Sequence, residues 1–245
     1  MEQQNYQYHD YEVLGQDRTL SKRFFGNVFM WMFVALAVSA LSAYYIASTP
    51  EIRQHLVGEK GFTLFGYVAL FAPIGLVLLM GARMHKLSYT TLIGFFILYA
   101  LLTGVMLSFV LFLYTQQSIA ICFVAACAIF GVMAVMGYTT NADLSKFGPI
   151  LMAGVIGLIV VSLINMFVGS DTLNYLLGFL GVAIFTALTA YKVQEIKRIG
   201  QGLDEHGNDV SQEDSKKLAL MGALSLYITF INLLLSLLRL FGDRR

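Results

Sequence analysis

Five polar side chains near the C-terminus are spaced to share one face of a helix. Ser225, Thr229, Asn232, Ser236 and Arg239 follow one another at intervals of four, three, four and three residues. At about 100° per residue they fall within an arc of about 80°. The residues between them are mostly Leu, Ile and Phe. Such a line of hydroxyl, carboxamide and guanidinium groups has two uses. It can hydrogen-bond along a packing seam between helices, or it can line a path for water or an ion. Lipid penalises it, so the stripe is expected to face protein or water at the centre of a bundle.

Other chemistries lack their residues. His9, His55, His85 and His206 have no metal-ligand spacing with one another or with cysteine. Cys122 and Cys127 are five residues apart, which turns them about 140° from each other on a helix, so they neither pair nor hold a metal. Their expected role is packing. There is no GxSxG, HExxH or Walker glycine loop. His85 beside Arg83 and Lys86 reads as an exposed interfacial residue or a pH sensor. The acidic stretch with Asp204, Glu205, Asp209, Glu213 and Asp214 lacks the alternation of a calcium-binding loop and reads as a solvated linker. No catalytic site, metal site or cofactor is expected.

The placement of charge defines the elements that carry these residues. Of 245 residues, 58% are hydrophobic and only 13% charged, with a formal net charge of +1. A soluble fold could not cover so apolar a chain, and a nucleic-acid binder would be more basic. No Asp, Glu, Lys or Arg occurs in 24–50, 61–82, 87–142, 147–170, 172–191 or 218–238. A membrane-spanning helix needs about 20 apolar residues. The run 87–142 is too long for one span and divides at Thr115, Gln116, Gln117 and Ser118. Seven spans result, at about 24–47, 62–82, 89–113, 119–138, 147–169, 172–191 and 218–241. The fold class is therefore an all-α membrane protein, one domain over 24–242 between an N-terminal tail (1–23) and a short C-terminal tail (243–245). With no carboxylate in a span, intramembrane aspartyl proteolysis is excluded, and without a mid-span lysine in span seven so is a retinal-type Schiff base.

Phe24–Ala47 is too long for a signal h-region and reads as a retained span. Arg18, Lys22, Arg23, Arg83, Lys86, Lys146, Lys192, Lys197, Arg198, Lys216 and Lys217 fall on the N-terminal side of the membrane. Arg53, Lys60, Arg239, Arg244 and Arg245 fall on the other. Eleven against five predicts a cytoplasmic N-terminus. Ala35, Ser39, Ala43 and Ala47 in span one, Ala100, Gly104 and Ser108 in span three, and Ala153 and Gly157 in span five form small-residue ridges for close helix packing. Pro73 in span two frees the carbonyl of Ala69, giving a kink or a local opening onto a cavity.

Three stretches carry a family resemblance: Gly137–Gly148 (GYTTNADLSKFG), Tyr191–Lys197 (YKVQEIK) and Leu224–Gly242 (LSLYITFINLLLSLLRLFG). With seven spans in this length, the chain resembles the Bax inhibitor-1 family of transmembrane Bax-inhibitor-motif proteins, bacterial branch, over about residues 20–242. The resemblance implies six helices wrapped around a central seventh. It implies an association with calcium leak, with suppression of cell death in eukaryotes and, for some bacterial members, with a membrane protease. In the calcium-leak type, two aspartates on spans six and seven form a pH-sensitive latch beside an arginine at the end of span two. Arg83 matches that arginine, but Lys192 and Thr229 stand at the aspartate positions. A carboxylate pair can share a proton and titrate in a coupled way; a lysine and a threonine cannot. Glu195, one turn on, is expected to compensate Lys192 locally, or Lys192 snorkels to the interface.

Two functions follow as expectations. One is a calcium or cation leak channel whose di-aspartyl latch is absent, with Arg83, Lys192, Glu195, Thr229 and Asn232 as candidate pore or latch residues. The other is a non-conducting regulator that binds another membrane protein such as a protease. The expected location is the bacterial cytoplasmic (inner) membrane; the expected partners are the lipid bilayer, calcium ions and a membrane protein, with no nucleic acid.

Overall fold

The computed structural model describes residues 2–58, 61–201 and 212–244. Eight helices follow in order: α1 (Glu2–Ser48), α2 (Pro50–Leu56), α3 (Leu64–Arg83), α4 (Tyr89–Leu113), α5 (Gln116–Thr139), α6 (Gly148–Val168), α7 (Asp171–Gly200) and α8 (Gln212–Phe241). All but α2 are long and apolar enough to cross a membrane, so the described residues contain the seven expected spans. The strands are two-residue pieces, β1 (Val57–Gly58) and β2 (Gly61–Phe62), paired antiparallel with Val57 opposite Phe62. They take up the residues at which span two was expected to begin, so α3 starts at Leu64. The acidic residues Asp204, Glu205 and Asp209, with His206, lie outside the described residues, as do Lys60 and Arg245.

Side-chain caps set the starts of α3, α4, α5 and α7. Thr63 accepts from the Gly66 N–H, Ser88 from Thr91, Thr115 from Ser118 and Ser170 from Leu173. Each hydroxyl satisfies one of the amides that a helix N-terminus leaves unpaired. Thr115 thus divides the long uncharged run where its polar turn predicted. Gly169, at φ 65°, ends α6 in the left-handed conformation that glycine adopts without strain. Three boundaries differ most from expectation. The polar residues before Phe24 continue α1, α7 runs nine residues past the end of span six at 191 to Gly200, and α8 starts at Gln212, six residues before span seven, so Glu213 and Asp214 stand on a helix rather than in a linker. Lys192 and Glu195 therefore stand on a helix rather than in a loop.

In the span carried by α8, 61% of residues are buried, against 6% in the span carried by α6 and 17–39% in the others. α8 packs on α1, α4, α5 and α7. Its Leu220, Leu224, Leu226, Tyr227, Leu233 and Leu238 are all essentially inaccessible. Rings meet edge to face around it, Tyr99 with Tyr227 at 5.9 Å and Phe130 with Phe230 at 5.5 Å between centroids.

The small-residue ridges of α1 and α4 face each other. Ala35, Ser39, Ala43, Ala100, Gly104 and Ser108 are buried, and a Cβ on Gly104 would lie 2.6 Å from the Ser39 carbonyl oxygen. The ridge expected on span five is corrected: Ala153 and Gly157 are exposed, and Gly157 has no atom within 4 Å of an added Cβ. α6 packs on α7 through the next residue over, Gly154, which approaches Ile184. Spacing alone sets the ridge's existence but not which face a peripheral helix turns inward. Pro73 is buried within a continuous α3. Cys122 is buried and Cys127 exposed, in keeping with their divergence on α5.

Candidate functional site

The polar stripe of α8 satisfies most of its hydrogen bonds within its own helix. The Thr229 hydroxyl donates to the Ser225 carbonyl at 2.8 Å, the Asn232 amide to Ile228 at 2.8 Å and the Ser236 hydroxyl to Asn232 at 2.7 Å. Back-bonding of this kind lets a polar side chain remain in an apolar surrounding without a partner on another helix. The stripe meets α7 where α7 has glycines. A Cβ on Gly181 would collide with Ser236, and one on Gly178 would lie 3.2 Å from the Arg239 Cβ. The Arg239 guanidinium reaches past Gly178 to the Ser162 hydroxyl of α6 at 3.4 Å.

The contacts of Gly181 with Ser236 and of Gly222 with Ile196 fix the antiparallel register of α7 and α8. This register sets Thr229 level with Leu188 and Thr189, about one turn from Lys192. Thr189 is fully buried and donates to the Phe185 carbonyl at 2.8 Å. Lys192 does not snorkel freely. Its ammonium meets Glu195 at 2.7 Å, both side chains being 22% exposed, and lies 5.2 Å from the Tyr191 ring centroid. The expected local compensation by Glu195 is therefore present. Arg83, at the end of α3, is exposed and makes no side-chain hydrogen bond or ion pair among the described residues. α3 packs on α2 and α4, so the structure unites Thr229, Asn232, Lys192 and Glu195 on neighbouring faces but leaves Arg83 apart from them. His85 and Lys86 are likewise exposed.

Sequence reasoning missed the clasp that joins two of the resembling stretches. Gln194, 8% exposed, accepts from the Leu144 N–H at 2.8 Å and donates to the Ala142 carbonyl at 2.7 Å. Lys197 donates to the Tyr138 carbonyl at 2.8 Å and lies over the Tyr138 ring. Arg198 pairs with Asp143. A Cβ on Gly137 would strike the Ala190 carbonyl. The α5–α6 loop is thereby fastened to the last three turns of α7. Asp143 also caps the single 3-10 turn at Leu144–Phe147. The Ser145 hydroxyl, then Arg198 and the Ser145 N–H, pull its carboxyl from 3.8 down to about 2. The signal was available: Gln, Lys and Arg at 194, 197 and 198 are polar residues at helical spacing beyond a span.

A second fastening lies at the opposite end. The Thr115 N–H donates to the Asp243 carbonyl at 3.0 Å, and the Asp243 N–H donates to the Ser118 hydroxyl at 3.0 Å. Tyr114 bridges Arg244. The C-terminal tail is thus tied, through Asp243 and Arg244, to the α4–α5 turn.

Comparison with known proteins agrees with this architecture. The family model described as Inhibitor of apoptosis-promoting Bax1 matches residues 21–245. The inner membrane protein YbhL of Escherichia coli K12 is 38% identical over 230 residues, covering 94% of this chain and 95% of that protein. An uncharacterised protein of Borreliella burgdorferi is 37% identical, with 94% and 96% covered. One from Rickettsia prowazekii is 36% identical, with 91% of each covered. Seven apolar helices and a match across nearly the whole chain lead to one conclusion: this is an integral membrane protein that belongs to the Bax inhibitor-1 family.

Proposed function

We propose that the protein is a cation leak channel of the bacterial inner membrane, calcium being the ion to test, without a di-aspartyl pH latch, since Lys192 and Thr229 stand at those positions. The reading takes α8 as the axis of six surrounding helices, with the N-terminus in the cytoplasm. The observation that carries it is the half-buried Lys192–Glu195 pair on α7, one turn from Thr229 on α8. A polar track on the most buried helix beside a neutralised ion pair provides groups that can solvate an ion once α7 and α8 part. Without the pair, Lys192 would repel a divalent cation. With a lysine and a threonine at the aspartate positions there is no shared proton to lose, so gating is expected to be flat from pH 5 to 8.

Calcium flux into proteoliposomes tests this. The wild-type chain is expected to leak calcium above protein-free vesicles with little pH dependence. Lys192→Asp with Thr229→Asp is expected to add a pH-dependent component. Flux no greater than in empty vesicles would overturn conduction, and an unchanged pH profile in the double variant would overturn the assignment of these two positions.

A second reading, a non-conducting regulator of another membrane protein such as a protease, draws on the same stripe. Thr229, Asn232 and Ser236 each donate one hydrogen bond within their own helix. Purification from the native membrane should then recover one partner in fixed ratio; repeated recovery of the chain alone would count against it.

A further inference from the structure

We propose that Arg239 is the centre of a binding site for the phosphate of an anionic lipid, set in a recess between α6, α7 and α8. Arg239 extends from α8 across α7 to α6, and Gly178 makes the crossing possible because its missing side chain leaves room for the arginine stem. The guanidinium has five donors, yet its side-chain hydrogen bond among the described residues is the long one to Ser162. Arg239 as a whole residue is exposed. The Lys192–Glu195 and Arg198–Asp143 ion pairs do not involve it. Arg244, a second cation five residues on whose backbone pairs with Tyr114, acts on it, as does Tyr114. Asp243, the nearest carboxylate in sequence, spends its backbone on Thr115 and Ser118 and forms no ion pair with either arginine.

The depth of the site argues for a lipid rather than a free ion. α6 continues six residues past Ser162 to Val168, and α7 begins seven residues before Gly178 at Asp171. At about 1.5 Å per residue, both helices extend about 9–10 Å beyond the guanidinium, while α8 ends only two residues after it. Of the residues one turn from the crossing, Ile159 and Met166 on α6 and Tyr175 on α7 are exposed and apolar, whereas Asn165 is buried and accepts from the Ser170 N–H, and Asn174 is half-buried. A cation at this depth among apolar side chains is costly unless an anion meets it, and a guanidinium fork matches two phosphate oxygens. The headgroup phosphate can reach Arg239 and Arg244, leaving the acyl chains along α6 and α7.

Native mass spectrometry of the full chain in detergent tests the site. Phosphatidylglycerol, phosphatidylcholine and inorganic phosphate serve as probes. Wild-type protein is expected to retain phosphatidylglycerol in preference to phosphatidylcholine. Arg239→Gln should weaken that binding about tenfold, the loss expected for a charge-assisted contact. Arg239→Lys, which keeps the charge but not the fork, should weaken it less and serves if the glutamine variant does not fold. Lys86→Gln, at the other membrane face, should bind as wild type. Unaltered binding in the folded Arg239 variants would overturn the site. So would an equal loss in Lys86→Gln. Displacement of the lipid by millimolar inorganic phosphate would overturn the lipid assignment.

Discussion

Gln194 does two jobs with one carboxamide, accepting from Leu144 and donating to Ala142. Gln194→Ala removes both bonds and is expected to lower stability by about 1–2 kcal/mol, the lower part of the range for a lost buried partner because Ala142 is itself exposed. Gln194→Glu keeps the acceptor but sets a carboxylate against the Ala142 carbonyl, so it should not restore the loss. Thermal unfolding in detergent and amide exchange at Leu144 report both. Asp143 behaves differently because it is charged and exposed. Its carboxyl is held down to about 2 by Ser145 and Arg198, so its contribution is complete above the ordinary value of 3.8 and disappears as pH falls through about 2. Asp143→Asn should therefore loosen the α5–α6 loop equally at pH 5 and pH 8, measured by amide exchange at Ser145. A loosening that grows steeply between those values would show that another group titrates there.

At the scale of elements, glycine separates real contacts from coincident patterns. Gly104 and Gly157 both belong to small-residue ridges in the sequence. A Cβ on Gly104 would meet the Ser42 Cβ at 2.5 Å and the Ser39 carbonyl oxygen at 2.6 Å, whereas one on Gly157 would meet nothing within 4 Å. Gly104→Ala must push α1 and α4 apart and is expected to cost about 1–3 kcal/mol. Gly157→Ala should be neutral or stabilise by up to about 1 kcal/mol, because alanine loses less backbone freedom in a helix. Melting temperatures of the two variants should move in opposite directions, or Gly157→Ala should not move at all. Equal destabilisation would mean that α6 makes a contact through its exposed face in the membrane. Helix limits depended on similar local chemistry. The break at Thr115 was legible because a capping hydroxyl is a sequence signal. The extension of α7 to Gly200 was not, because loss of hydrophobicity marks the end of a membrane span, not the end of a helix.

For the whole molecule, a cytoplasmic N-terminus is the orientation expected from eleven basic residues on one side and five on the other. A membrane-impermeant thiol reagent applied to intact cells should label Gln116→Cys and spare His85→Cys, which should react only after permeabilisation; both positions are exposed. Cys122 is buried and Cys127 lies on an apolar face, so neither native thiol should contribute. The reverse pattern would invert the topology and place the Arg239 recess in the cytoplasmic leaflet. The sequence by itself determined the seven spans, the division at Thr115 and the family, because charge is too costly in lipid to be scattered and motifs are local strings. It also marked α8 as unusual, since a polar stripe cannot face hydrocarbon. What the stripe does with its donors, which ridge is buried, and that Gln194 clasps Ala142 and Leu144 some fifty residues away were decided only by tertiary structure. The reason is physical. A hydroxyl or carboxamide can be satisfied by its own helix, a neighbouring helix or water at similar free energy. Which of these it takes depends on the distance and register of backbones brought together by the rest of the chain.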